Sequence, residues 1–326
     1  MSRAGSRFAR KTGAEHAPPA GLAGPMLPET TMAMSVPTAS PQLRFDAAML
    51  SNVGVVRALN EDVVLYATAP EGDAGEKRGT LALVADGMGG HAAGEVASAL
   101  AAEVVRRVFY ELDGPPSAVL ASAFAAANRA ILDWAANHPE CNGMGTTCTA
   151  MALTEREAWL AHIGDSRAYL LRSGSLTQLS EDQTLVATLV REGRLSKEEA
   201  EHSPVSNVIT QALGMGPEIE PTIWQKPLAL LADDVIVLCS DGLSGAVPDA
   251  EIGDIAGRLP PGEACEALIA AANAAGGHDN ISVGVVRVAV ENEQTAGSGQ
   301  TTRPMPTFAA QTRKFDPANQ DRRRDG

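Results

Sequence analysis

Apolar runs that end in a carboxylate constrain this chain more than any other feature. TLALVAD (80–86), EAWLAHIGD (157–165) and DVIVLCSD (234–241) each close on an aspartate, and ISVGVVRVAV (281–290) opens directly after Asp279-Asn280. Short apolar runs bounded by such turn residues are expected strands, as are TTCTAMAL (146–153) and RAYLLR (167–172). Taken singly, Asp86-Gly87 and Asp241-Gly242 are ordinary turn dipeptides, and Asp279 is an ordinary turn cap. What a turn does not require is four carboxylates, Asp86, Asp165, Asp241 and Asp279, all at the ends of buried strands.

A further acidic pair stands upstream, in SNVGVVRALNEDVVLY (51–66), where Arg57 precedes Glu61 and Asp62. If the chain is extended here, alternation places Arg57, Leu59 and Glu61 on one side; a solvated charge cluster at a strand end is the plainer alternative. Carboxylates gathered in one place raise one another's pKa and resist joint ionisation, a penalty that a divalent cation removes. An oxygen-only donor set, without Cys or His at ligand spacing, suits Mg²⁺ or Mn²⁺ better than zinc. A guanidinium beside it suits a phosphoryl oxyanion. The glycines of VADGMGGHAAGE (84–95) offer a competing reading as a phosphate loop. Their spacing satisfies neither the P-loop, which needs Lys-Ser/Thr, nor the dinucleotide fingerprint. Close backbone approach to a metal, with a carbonyl free to bind it, is the reading they fit.

Around these runs lie three expected helices, 92–112, 117–138 and 261–277, the first with Val96, Leu100, Val104 and Val108 on one stripe. Strands and long helices in this order predict an α+β fold with substantial antiparallel sheet. Residues 180–216 hold two short helical pieces around Gly193 and read as a small helical flap. Residues 1–42 and 292–326, rich in Ala, Pro, Gly, Ser and Thr without periodicity, are expected to be a disordered leader and tail, leaving one domain at 43–291.

The net charge of −14 argues against nucleic acid as a partner. The apolar runs fall short of the roughly 18 residues that span a bilayer, and the basic residues Arg3, Arg7, Arg10 and Lys11 precede no apolar core of a secretory signal. Cys141, Cys148, Cys239 and Cys265 form no CxxC pair, so the expectation is free thiols in a reducing, cytoplasmic setting. No coiled-coil heptads are evident, and a monomer is expected.

In order along the chain, RALNED (57–62), VADGMGGHAAGEVAS (84–98), GMGTT (143–147), HIGDSRAYLLR (162–172), VLCSDGLSG (237–245) and GGHDNISVGVV (276–286) resemble the PPM/PP2C family, most closely its bacterial serine/threonine phosphatases. The resemblance implies a four-layer α-β-β-α sandwich with two antiparallel sheets, and hydrolysis of phosphoserine and phosphothreonine in proteins by a metal-activated water. It implies two Mn²⁺ or Mg²⁺ ions and a weaker third. By carry-over, Asp86 bridges the pair and Asp241 and Asp279 complete the first ion. The Gly87 carbonyl and Glu61 belong to the second, Asp165 and Asp241 to the third, and Asp62 to the outer coordination shell. Arg57 matches the phosphate-binding arginine. Phosphorylated proteins, a Ser/Thr kinase and its substrates, are the implied partners.

Two positions depart from the wider family: Met88 stands where eukaryotic members have histidine, leaving His91 as a candidate for proton transfer, and the flap opens with EDQT (181–184). His162 and Ser166 are expected to be structural, and Cys148 has no expected catalytic role. The alternative function is a catalytically silent phosphoprotein-binding regulator, which would be expected to have lost a metal aspartate.

Overall fold

The computed structural model describes residues 42–69, 78–89, 93–201 and 203–291. The tail, His91 and all of the proposed leader but Gln42 lie outside the described residues.

Two antiparallel sheets face each other. The first runs β1 (Leu43–Asn52), β12 (Ile281–Val290), β11 (Val235–Cys239), β7 (Arg167–Arg172) and β8 (Ser175–Gln178). The second runs β10 (Leu228–Ala229), β6 (Glu157–Ile163), β5 (Cys148–Leu153), β3 (Thr80–Met88) and β2 (Asp62–Thr68), with β4 (Gly145–Thr146) beside β3 and β9 (Thr222–Ile223) beside β6. Helices α1 (Ala93–Glu111) and α2 (Pro116–Asn137) cover the second sheet, and α6 (Asp249–Arg258) and α7 (Pro261–Ala274) cover the first. The expected α+β sandwich of two antiparallel sheets is what forms.

Strand alternation explains the layering. In β3, Leu81, Leu83 and Ala85 pack toward α1 and α2, while Ala82 and Val84 pack between the sheets. In β11, Val235, Val237 and Cys239 meet α6 and α7, while Ile236 and Leu238 face the other sheet. Continuing each count by one step places Asp86 and Ser240 on the inter-sheet side, where the apolar filling gives out. The carboxylates therefore gather at one end of the sandwich because of strand period and length together.

Several local expectations change. TTCTAMAL breaks at Thr147: the Thr147 amide donates to the Asp86 carbonyl (2.9 Å) and the Asp86 amide donates to Thr147 Oγ1 (3.1 Å), so β4 and β5 are separate strands. The buried face of α1 is not chiefly the valine stripe. It is Ala97, Ala101, Ala102, Val104, Val105 and Phe109, with Val96, Leu100 and Val108 only partly buried. Small residues let the helix approach the sheet closely. Residues 53–61, which could have been extended, turn instead, so Arg57, Leu59 and Glu61 do not share a strand face. In the 180–216 segment, α3 (Leu185–Arg191) and α4 (Lys197–Glu201) flank Gly193, as the pattern predicts.

The start of α1 meets the end of β3 through two glycines. A side chain on Gly94 would place its Cβ 2.7 Å from Glu61 Oε1 and 2.8 Å from the Gly87 carbonyl oxygen. Alanine gains about 1 kcal/mol over glycine in a helix interior, whereas overpacking against fixed backbone costs about 1–3 kcal/mol. The steric term wins, so Gly94→Ala is expected to lower the urea midpoint despite its better helix propensity. An unchanged or raised midpoint would show that the contact is not tight.

Candidate functional site

The site begins with two carboxylates placed directly opposite each other. Asp62 in β2 and Asp86 in β3 are cross-strand partners, an arrangement of like charges that destabilises a sheet on its own. Asp86 is held through its backbone: its carbonyl accepts from Thr146 Oγ1 (2.8 Å) as well as from the Thr147 amide. Asp62 is buried and accepts from Ser240 Oγ (2.8 Å) on one oxygen. Ser240 in turn exchanges hydrogen bonds with Ser282 of its own sheet, so its bond to Asp62 ties the two sheets together beneath the acids.

The other acids arrive from neighbouring strand ends. Asp241 opens the short helix α5 (Asp241–Ser244) directly after β11. Asp165 follows β6 through Gly164, whose φ of +105° carries the chain into a turn that side chains disfavour. Asp279 precedes β12; its Oδ1 accepts from the Asn280 amide (2.8 Å) and its Oδ2 from Arg57 Nη2 (2.7 Å). Glu61 lies one residue before β2. Its carboxylate and the Gly87 carbonyl crowd the same small space against Gly94, so two oxygens converge at the helix start. All eight residues singled out by the sequence are thus gathered at one end of the sandwich.

Burial dominates the electrostatics. It raises Asp86 well above the carboxylate range, with Asp62, Asp241 and Asp165 adding to the shift. Burial likewise pushes Asp62 and Asp165 up to about 7 each, and Asp241 adds to both. Asp241 is raised by burial and then by Asp279, and Glu61 is raised mainly by burial. The interaction between Asp86 and Asp241 raises the first and lowers the second.

Asp62 Oδ1, Asp165 Oδ1 and Asp241 Oδ1 are buried without a hydrogen-bond partner. Unsatisfied buried oxygens are costly, and these three belong to acids that feel one another's charge. Among the described residues no three His, Cys, Asp or Glu side chains form a ready-made ligand cage. The donors that converge include a backbone carbonyl and acids still repelling one another. An oxygen-only set of this kind fits a hard divalent cation.

The loop carrying Arg57 is fastened by a residue the sequence reading gave no role. Asn280 is buried; its Oδ1 accepts from the Glu61 amide (2.8 Å), and its Nδ2 donates to the carbonyls of Val53 (3.0 Å) and Leu59 (2.9 Å). One side chain therefore joins the Arg57 loop, Glu61 and the bend bearing Asp279. In sequence an Asn after an Asp looks like a turn residue, and partners more than 200 positions away leave no local signal.

The residues expected to be structural are so placed. His162 is buried, with Nδ1 2.9 Å from Thr149 Oγ1 and Nε2 3.0 Å from the Glu181 carbonyl, and burial lowers its pKa. Ser166 Oγ lies 2.6 Å from Thr147 Oγ1. All four cysteines are free and buried, and burial pushes the Cys148 thiol up. The EDQT stretch anchors the flap: Asp182 accepts from Arg167 Nη2 (2.7 Å), Gln183 Oε1 accepts from the Gly164 amide (2.9 Å) and Thr184 caps α3.

Comparison with known proteins agrees in sequence and in fold. The family model described as Protein phosphatase 2C matches residues 60–272. The chain is 43% identical over 245 residues to Serine/threonine protein phosphatase PstP of Mycobacterium tuberculosis, covering 74% of this chain and 44% of that protein. It is 37% identical over 209 residues to Serine/threonine phosphatase stp of Listeria monocytogenes, covering 62% of this chain and 82% of that one. It therefore spans less than half of the Mycobacterium relative and most of the Listeria one. The crystal structure of Mycobacterium tuberculosis PstP superposes with a TM-score of 0.67 at 41% identity, over 77% of this chain and 100% of that one. The catalytic domain of PstP in complex with two manganese ions superposes with a TM-score of 0.65 at 40% identity, over 77% and 100% of the two chains. With the family model covering well over half of its length, this chain belongs to the protein phosphatase 2C family.

Proposed function

We propose that the chain is a metal-dependent protein phosphatase that hydrolyses phosphoserine and phosphothreonine in proteins. The observation that carries this is the set of buried, partnerless carboxylate oxygens on Asp62, Asp165 and Asp241, gathered at the same end of the sandwich as the exposed Arg57. Asp86, Asp241 and Asp279 would hold one cation, with Asp86 shared with a second held by the Gly87 carbonyl and Glu61. Asp165 and Asp241 would hold a weaker third, and Asp62, fixed by Ser240, would stand behind them. Mn²⁺ is supported by the manganese-bound PstP structure, and Mg²⁺ suits the same donors.

Phosphate monoesters are among the slowest of all compounds to hydrolyse, and a catalyst must remove on the order of 20 kcal/mol. Two divalent cations, when bound, supply a water of lowered pKa and neutralise charge on the phosphoryl group. Arg57 contributes direction. Its Nη2 donates to Asp279 Oδ2 (2.7 Å), which holds the guanidinium beside the carboxylates, and its other N–H groups would bind phosphate oxygens. Asn280 keeps the Arg57 loop in register with the carboxylates. No side-chain nucleophile is used: Cys148 and Ser166 are buried in packing roles. The proteins acted on would be products of a Ser/Thr kinase, and the buried free thiols fit a reducing cytoplasm.

Hydrolysis of a phosphothreonine peptide across Mn²⁺ and Mg²⁺ titrations, with Asp241→Asn alongside, tests this reading. The variant should lose several kcal/mol of charge stabilisation and fall at least about 100-fold in kcat/KM. Parent protein that binds Mn²⁺ without turnover would instead support the silent binding module.

A second expectation concerns stability after EDTA treatment. Asp62 and Asp165 titrate at about 7 in the folded protein against about 4 when unfolded. The folded state holds the extra protons between those values, so stability is full at low pH and falls as pH rises through 7. Melting at pH 8 should lie below that at pH 5.5 by about 2–4 °C for each kcal/mol lost, and Mn²⁺ should raise Tm most at pH 8. A Tm that climbs with pH would contradict this.

Asn280→Ala should displace Arg57 more than the carboxylates. Phosphopeptide KM is expected to rise about tenfold with a smaller change in kcat, the signature of lost uniform binding. An unchanged KM would remove Asn280 from any positioning role.

A further inference from the structure

Three of the eight most exposed large apolar side chains among the described residues fall in one five-residue window: Val55 (67% exposed), Val56 (61%) and Leu59 (52%). The other five, Leu112, Leu185, Val208, Met215 and Leu231, are spread along the chain, as on any protein surface. The window is centred on Arg57.

The loop is not free to turn these side chains inward. The amides of Val55 and Val56 both donate to the Gly277 carbonyl (2.9 and 3.3 Å), and Gly54 is held at φ +79° with its Asn52 Oδ1 contact (2.9 Å). Asn280 Nδ2 fastens the loop at Val53 and at Leu59. Apolar surface thus faces water on backbone fixed by distant parts of the fold. Valine is stiff at χ1, so a partner covering Val55 and Val56 orders little that is not already ordered.

We propose that Val55, Val56 and Leu59 form a rim that reads the residues flanking the phosphorylated side chain, so that the preferred substrates are phosphoproteins with apolar residues one or two places from the phosphoresidue. The inference rests on the phosphatase reading above. The occupant is the substrate chain because the rim is continuous with the residue that would hold its phosphate. Val56 adjoins Arg57, and Val55 and Leu59 lie two residues from it. At about 3.8 Å between successive Cα atoms, that reach matches one or two residues of an extended peptide. The net charge of −14 and the carboxylates beside Arg57 disfavour acidic flanks.

The test uses two phosphothreonine peptides of equal length and charge, one flanked by Val and Leu and the other by Ser, together with p-nitrophenyl phosphate, all with Mn²⁺. The enzymes are the parent, Leu59→Ser and the double variant Val56→Ser/Leu59→Ser. The parent should favour the apolar flanks by about tenfold in kcat/KM. The double variant should lose that preference, Leu59→Ser should lose part of it, and p-nitrophenyl phosphate turnover should stay within about twofold. Equal rates for both peptides in the parent, or a preference that survives the double variant, would overturn the rim. So would faster p-nitrophenyl phosphate turnover in the double variant, which would show the rim covered by this chain itself or a second copy. No turnover of either peptide or of p-nitrophenyl phosphate by the parent would instead overturn the phosphatase reading, and the rim with it.

Discussion

Repulsion between carboxylates held at the open end of the sandwich is the constraint to which the rest of the structure answers. Asp62 and Asp86 face each other in register across two strands, where opposite charges would stabilise and like charges do not. Asp165 and Asp241 add to the same field. The fold tolerates this because three apolar layers are complete below it, one between the sheets and one under each helix pair. A chain selected for stability alone would have no reason to keep these acids. With the cations proposed above bound, cation binding and folding would share one free energy at this end of the sandwich.

Each sheet supplies part of the site. The second contributes Asp62, Asp86 and, at their margins, Glu61 and Gly87; the first contributes Asp241 and Asp279. Hydrogen bonds cross between them at Ser240 with Asp62 and at Asn280 with Glu61. Asp62 shows the pattern, with one oxygen accepting from Ser240 and the other buried without a partner, as are single oxygens of Asp165 and Asp241. That asymmetry separates a binding site from a structural polar network, in which both sides would be satisfied.

What the sequence made legible follows from the range of each interaction. Asp86, Asp241 and Asp279 could be read because an apolar run, its length and the turn after it all lie within ten residues. The sandwich followed from the same runs. Arg57 could be paired with the acids through its motif, but its loop could not be drawn, since the bonds that shape it come from Gly277 and Asn280. The alanine face of α1 was hidden for a related reason: alanine carries little hydrophobic weight, and its value lies in how closely the helix approaches β3. Gly94 fell within the expected helix 92–112, but its close approach to Gly87 and Glu61, which lie outside that helix, left no helical signal.

Because the two halves of the site sit on different sheets, the thickness of the filling between them sets their separation. Ala82 and Val84 on one side and Ile236, Leu238 and Val286 on the other are spacers as well as core. Facing sheets stand about 10 Å apart, and a single methylene in such a layer is felt as strain or as a gap. Mg²⁺ demands oxygens at nearly ideal octahedral positions, whereas larger ions accept wider and looser ones. For the cation site proposed above, the inter-sheet layer would therefore act as a gauge for ionic radius, and substitutions that touch no ligand at all would shift its metal preference.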